Sequence, residues 1–312
     1  MNKFTRYPAS MSRQSLGQFQ VDVRESAAFK PIENATVAVK KTAVDAQTIE
    51  TLTTDDSGQT ITIELETPSK ELSLDIENEE KPYSEYTIEV TKEGYEPTVI
   101  EGSQLLADTK AVQAAQLRST ETTAAQSLMR RRRRYRQESV YFIEPHTLYE
   151  EYPPKIPEDS VKELPEGPAG FIVLDTVVVP EYMVVHDGDP FDPGAPNYFV
   201  SFQDYIINVA SSEIYATWPE ATITANILAI LSFTLNRVYT EWYRNKGFDF
   251  MITSSTAYDH KYIHNRNSFQ NISQIVNTIF TNYITKPGIK QPLLTQYCDG
   301  KQVQCPGWMT IW

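Results

Sequence analysis

Between residues 16 and 117, apolar and polar side chains alternate with a period of two. Gln18-Phe19-Gln20-Val21-Asp22-Val23, Ala35-Thr36-Val37-Ala38-Val39, Thr60-Ile61-Thr62-Ile63-Glu64-Leu65 and Glu85-Tyr86-Thr87-Ile88-Glu89-Val90 all follow it. That spacing predicts β-strands with one buried and one wet face. Turn chemistry separates them at Lys30-Pro31, Asp55-Asp56-Ser57-Gly58, Thr67-Pro68 and Glu93-Gly94-Tyr95. Short strands punctuated in this way predict a small antiparallel β-sandwich over 16–117.

From Phe171 the pattern changes. Phe171–Val179 and Tyr182–Val185 are apolar runs suited to buried strands. Phe202, Tyr205, Ile206, Val209 and Ala210 then recur at helical spacing, up to Ser211-Ser212-Glu213. Thr217-Trp218-Pro219-Glu220 carries the residues of a capping box with proline in the first turn, so a long helix is expected from Trp218 to about Lys246, stopped by Gly247. A third helix places Ile272, Ile275, Val276, Ile279, Phe280 and Tyr283 on one face and ends at Pro287-Gly288. The second domain is therefore expected to be α+β.

Residues 118–170 read as a linker. Ser, Thr, Ala and Gln dominate 119–127, and Arg130–Arg134 with Arg136 follow. Pro153-Pro154, Pro157, Pro165 and Pro168 come next, among acidic residues. Such a composition buries too little apolar surface to offset chain entropy. Pro153–Pro168 is expected to lie extended across a domain surface. The expected organisation is a disordered N-terminus over 1–15, a sandwich over 16–117, the linker over 118–170 and a second domain over 171–312.

A chain of 312 residues suits two domains of roughly 100–200 residues each. The net charge of −13 argues against a nucleic-acid partner, because phosphate binding draws on a basic face. The arginine run reads instead as a processing site or a solvated spacer. No membrane span is expected either: the longest apolar stretch, Ile223–Leu235, is broken by Thr224, Asn226, Ser232 and Thr234. The first twenty residues lack the apolar core of a conventional signal peptide.

Candidate chemistry is sparse. Residues 16–117 hold no His or Cys, so a binding, spacing or inhibitory module is the default there. Cys298 and Cys305 enclose six residues, a spacing compatible with a disulfide, two thiols, or half of a zinc site that needs two more ligands. His260 and His264 stand four apart, as metal pairs do, but no Glu follows His260, so exposed loop histidines are expected and no metal or cofactor. Hydrolase, nucleotide and dinucleotide loop motifs are absent. Glu213 remains, between two helices and beside aromatics, where desolvation raises a carboxyl's pKa as a general acid requires.

Two resemblances extend this reading. NATVAVKKT, TTDDSGQTITIEL and PYSEYTIEVTKEGYEP resemble the carboxypeptidase regulatory-like (transthyretin-like) sandwich. The run from Phe202 through Tyr205, Val209, Glu213, Trp218, Glu220, Ala221, Ala225 and Ala229 to Ser232 resembles the SpoIID/LytB family's hallmark motif. Ser255–Tyr262 resembles its second motif, with His260 in place of the family's Gln and Asn265 in place of its Gly, and Gln296-Tyr297-Cys298 through Trp308 resembles its third.

The SpoIID/LytB resemblance implies a peptidoglycan lytic transglycosylase. A closer resemblance, over nearly the whole chain, to spore cortex-lytic enzymes implies action on spore cortex at germination. A non-catalytic glycan-binding or structural relative and a vegetative or phage-type wall hydrolase are the alternatives. The SpoIID/LytB resemblance implies Glu213 as the catalytic residue. Tyr205, Ser212, Trp218, Thr256, Asp259, His260, Tyr262 and Tyr297 become substrate-binding residues, and Cys298 with Cys305 a candidate disulfide. The resemblance to spore cortex-lytic enzymes implies a location in the spore and an N-terminal pro-region removed by a subtilisin-like protease. Relatives usually continue past the position of Trp312, so the resemblance implies a further C-terminal segment. The partner is the glycan strand.

Because the linker is polar and rich in arginine, limited proteolysis of the full chain is expected to cut first between Ser119 and Glu138. Mass spectrometry of the earliest fragments checks this, and a first cut inside 16–110 or 200–290 would contradict the domain reading.

Overall fold

The computed structural model describes residues 15–43, 46–120, 139–150, 152–158, 174–301 and 309–312. The chain divides into two compact units, residues 1–141 and 142–312.

The described residues of the first unit are mostly β. Its strands are β1 (Ser15–Glu25), β2 (Thr36–Lys41), β3 (Thr48–Thr53), β4 (Ile63–Thr67), β5 (Ser84–Thr91), β6 (Thr98–Leu105), β7 (Lys110–Leu117) and β8 (Ser139–Phe142), with the turn α1 (Glu71–Leu74) between β4 and β5. One sheet places β1 between β4 and β7, and the other runs β3-β2-β5-β6-β8. Alternation sets the inner faces: Phe19, Val21 and Val23 of β1 are fully buried, as are Val37, Val39, Ile88 and Val90 of the second sheet. The Phe19 and Tyr86 rings meet between the sheets at 6.4 Å. The Tyr86 hydroxyl donates to the Glu66 carbonyl at 2.6 Å. The expected sandwich is thus present, with one correction. β1 pairs with β7 in parallel, not antiparallel, from Gln18 opposite Lys110 to Glu25 opposite Leu117.

The second unit joins a small sheet to three helices. β9 (Tyr182–His186) lies between β10 (Asn197–Ser201), antiparallel to it, and β11 (Ile252–Thr253), parallel to it. α2 (Phe202–Glu213) follows β10 directly. The Ser201 hydroxyl caps it by accepting from the Asp204 amide at 3.1 Å. α3 (Glu220–Tyr239) is the core helix, and α4 (Gln270–Ile279) follows the two-residue β12 (Ser268–Phe269). β13 (Tyr297–Cys298) pairs in parallel with β14 (Met309–Thr310). α3 is long and apolar enough to cross a membrane, but most of it is buried inside this unit. No membrane span is established.

Several sequence expectations need correcting. α3 starts at Glu220 with Pro219 at its N-cap and no side-chain cap bond, so the expected capping box does not form. It stops at Tyr239 rather than near Lys246, because Glu241 takes a left-handed φ of 45° that turns the chain, and a short 3₁₀ turn at Arg244–Lys246 ends on Gly247. α4 ends at Ile279, well before Pro287, as the chain leaves so that the Ile284 amide donates to the Ser232 hydroxyl of α3 at 2.7 Å. Leu174–Val179 form no strand, and Phe171–Val173 lie outside the described residues.

The largest correction concerns the linker. Residues 142–158 belong to the second unit, and bonds along their length fix them there. The Thr147 amide and hydroxyl both donate to the Ser212 carbonyl at 3.1 Å. The Ile156 amide donates to the Ala257 carbonyl at 2.7 Å. The Gln296 amide group receives from the Glu158 N–H at 2.8 Å and donates to the Ile156 carbonyl at 2.7 Å. The strap is therefore seated by backbone hydrogen bonds, which is how a proline-rich segment with little apolar surface can be held.

Glu158 also joins a buried charge cluster. Arg237 of α3 donates through Nε to Asp259 Oδ1 at 2.7 Å and through Nη2 to Glu158 Oε1 at 2.6 Å. Asp259 further accepts from the Tyr243 hydroxyl, the Thr253 amide and the Thr253 hydroxyl at 2.6–2.9 Å. Both Arg237 and Asp259 side chains are fully enclosed. Asp259→Ala leaves a buried guanidinium short of its counter-charge, which typically costs ~3–5 kcal/mol. Urea unfolding followed by tryptophan fluorescence measures this, since all four tryptophans lie in the second unit. A loss below about 1 kcal/mol, the worth of a surface pair, would contradict the cluster's role.

Candidate active site

Glu213 is the last residue of α2. Its side chain turns inward because the buried stripe of the helix, Phe202, Tyr205, Ile206, Val209 and Ala210, continues through Ser211, Ser212 and Glu213. Only 6% of the residue is exposed. The Lys261 amide donates to Oε1 at 2.6 Å, and the Tyr297 hydroxyl donates to Oε2. Burial raises the carboxyl's pKa above the usual carboxylate range, while Lys155, the Lys261 amide and Tyr297 pull it back. The helix C-terminus, with its partial negative charge, also disfavours the anion.

A pocket opens on this carboxyl. Thr147, Leu148, Glu150, Tyr152, Pro153, Pro154 and Lys155 of the strap line one side of it. Glu213, Thr256, Asp259, Tyr297, Cys298, Asp299 and Ile311 line the other. The strap residues were invisible as site residues in the sequence. Their only signal was the expectation that a proline-rich extended segment crosses a domain surface.

The structure brings Glu213, Thr256, Asp259 and Tyr297 together in this pocket. It corrects the reading of Asp259 and of the other expected substrate contacts. Asp259 spends both carboxylate oxygens on the buried cluster, and only its carbonyl reaches the strap, accepting from Lys155 Nζ. Tyr205 and His260 are fully buried, with the Tyr205 hydroxyl 3.4 Å from His260 Nδ1. The His260 ring packs on Phe233 at 4.4 Å and stacks on Tyr297 at 5.7 Å, so it is no exposed loop histidine but part of the wall behind Tyr297. Ser212 is enclosed, its hydroxyl returned to the Asn208 carbonyl at 2.8 Å. Tyr262 is buried, with its hydroxyl 3.1 Å from His264 Nδ1. Trp218 is buried against Tyr215 and Trp312, and it borders a different groove with Glu220, Asn271 and Gln274.

His264 is not exposed either. Its ring lies flat on Tyr198 at 3.6 Å. Asn265 takes the left-handed φ of 63° that the family's glycine would supply. His260 and His264 share no helix, and no group of three or more metal-ligating side chains occurs among the described residues. Cys298 is disulfide-bonded, and Cys305 lies outside the described residues.

Neither a family profile nor a curated protein matches the chain. Parts of it are similar to solved structures. The Bacillus anthracis TIE protein aligns at 16% identity over 34% of this chain and 17% of its own, with a TM-score of 0.23. The Streptococcus agalactiae minor pilin GBS52 aligns at 14% over 34% and 46%, also at 0.23. A point mutant of Acinetobacter radioresistens catechol 1,2-dioxygenase aligns at 13% over 41% and 58%, at 0.24. The chain spans less than two thirds of the length of each, and similarity this low carries no argument about fold or chemistry.

Titration in this unit has a definite sign. Burial lowers the pKa of His146 to about 3 and that of His264 to about 4, against ~6.5 in an unfolded chain. Between these values the unfolded chain holds protons that the fold refuses, so stability falls as pH drops below ~6.5, by up to ~1.4 kcal/mol per pH unit per group. The raised pKa of Glu213 works in the opposite sense. His146→Phe isolates one contribution. Its unfolding free energy is expected to fall less steeply than the wild type's between pH 6.5 and 4, and equal slopes would refute the buried neutral imidazole.

Proposed function

We propose that residues 142–312 form a peptidoglycan lytic transglycosylase domain with Glu213 as its catalytic acid and base. The observation that carries this reading is a desolvated carboxyl, held by the Tyr297 hydroxyl and the Lys261 amide, at the wall of a pocket. The resemblance to the SpoIID/LytB motifs supplies the substrate, the β-1,4 bond from N-acetylmuramic acid to N-acetylglucosamine.

In the first step the protonated Glu213 gives its proton to the glycosidic oxygen as the C1–O bond breaks. The muramyl 6-hydroxyl then attacks the electron-poor C1, and the Glu213 carboxylate takes the hydroxyl proton. One carboxyl serves both steps and is restored. The product is a 1,6-anhydromuramyl end. By contrast, a hydrolytic glycosidase needs a second carboxylate as nucleophile or base.

The order of modules and motifs further resembles the spore cortex-lytic enzyme SleC. On that resemblance the substrate is spore cortex, the place of action the germinating spore, and the first unit a transthyretin-like pro-region removed by a subtilisin-like protease. A second reading has one specific observation behind it: Glu150 and Asp299 also line the pocket, and either would supply the second carboxylate of a hydrolase.

Digestion of purified cortex, with mass spectrometry of the new ends, decides between the two. Anhydro ends support the transglycosylase and reducing ends the hydrolase. Glu213→Gln is expected to cut the cleavage rate by ~10²–10⁴-fold while preserving the fold. Retention of more than about a tenth of the wild-type rate would remove Glu213 from the reaction.

A further inference from the structure

The strap brings a cation into the pocket. Of the described residues that line it, Lys155 is the one lysine or arginine. Its Nζ donates to the Asp259 carbonyl and lies 4.9 Å from the Phe233 ring centroid and 5.8 Å from that of Tyr297. Tyr297 is the residue whose hydroxyl holds Glu213. The other cations nearby have close partners elsewhere: Arg237 pairs with Asp259 and Glu158, and the Lys261 ammonium with Glu144, so that its charge favours the Glu213 anion less than that of Lys155 does.

We infer that Lys155 is a positioning residue of the Glu213 site, pinning the strap at the Asp259 carbonyl and supplying the positive charge against which the Glu213 carboxyl works. The inference rests on the reading of Glu213 as proton donor and acceptor. Each turnover passes through a buried Glu213 anion, and a nearby ammonium makes that anion less costly than burial alone would. The ammonium is itself held over the faces of Phe233 and Tyr297, where ring quadrupoles favour a cation.

The charged and titratable groups around the pair come from every neighbouring element. Tyr297 of β13, Lys155 of the strap and Lys261 face Glu213. Glu213, Asp259, Arg237 of α3 and Glu158 face Lys155. His260, behind Tyr297, is held uncharged by its burial and by Lys155 and Arg237. Removing the Lys155 charge therefore leaves the Tyr297 hydroxyl and the Lys261 amide as the close stabilisers of the Glu213 anion, and Glu213 keeps its proton to higher pH.

The test is the titration of Glu213 in the full chain, followed by NMR of carbon-13-labelled glutamate carboxyls, with the Glu213 signal identified by its loss in Glu213→Gln. Lys155→Met is expected to raise the Glu213 midpoint by about one pH unit or more, and Lys155→Arg to return it toward the wild type. The alkaline limb of the cleavage profile moves the same way. Lys155→Gln replaces Lys155→Met if the latter fails to fold. A midpoint in the neutral variant within about a third of a unit of the wild type overturns the inference. So does a faster cleavage rate without such a shift, which would make the strap an occluding plug. If the chain cleaves no glycan, the lytic reading fails, while the titration still decides the role of Lys155.

Discussion

The second unit depends on the pairing of Arg237 with Asp259 at a place water does not reach. A guanidinium and a carboxylate taken out of water cost several kcal/mol each, and only full hydrogen bonding recovers it. Here that condition is met: Asp259 accepts from four donor atoms and Arg237 reaches four acceptor atoms on three residues. These partners come from α3, the turn at Thr253–Asp259, the 3₁₀ approach at Tyr243 and the strap. One charge pair therefore ties together four segments of this unit.

The same logic at the next layer governs the candidate site. Glu213 and Lys155 are both penalised by burial, and each eases the other's cost. Nothing in this arrangement commits the proton to one group as firmly as the Arg237 pair does, since a guanidinium stays charged and an ammonium does not have to. The fixed ion pair of Arg237 and Asp259 thus lies beside a carboxyl and an ammonium whose charges are each opposed by burial. The spacer between them is Asp259, whose carboxylate faces the first and whose carbonyl faces the second.

What could be read in the sequence follows the range of the physics involved. The strands β1, β2, β4 and β5 and the start of α2 were legible because period-two and helical spacing are local. β3 and β6 were not, since Thr48–Thr53 is mostly exposed and Thr98–Leu105 is buried on both faces, so neither alternates cleanly. Glu213 stood out through its helix-end position and its motif. Tyr205, His260 and Asp259 carried the same motif yet serve as wall and frame, because a residue near a cleft can act by holding its neighbour. Lys155 was hidden for a different reason. Its role depends on contacts with residues more than a hundred positions away, and no local pattern encodes those.

That separation has a consequence for how the chain is made. Ile156 and Glu158 receive their partner from Gln296, 140 and 138 positions later. Contacts so distant in sequence are slow to form, because long loops must close before any reward arrives. During synthesis from the N-terminus, the first unit can mature as soon as β8 has emerged, whereas the strap must wait about 140 residues more for Gln296 before it can seat. A nascent chain therefore carries a finished β unit and an unassembled pocket until Gln296 and Tyr297 have emerged.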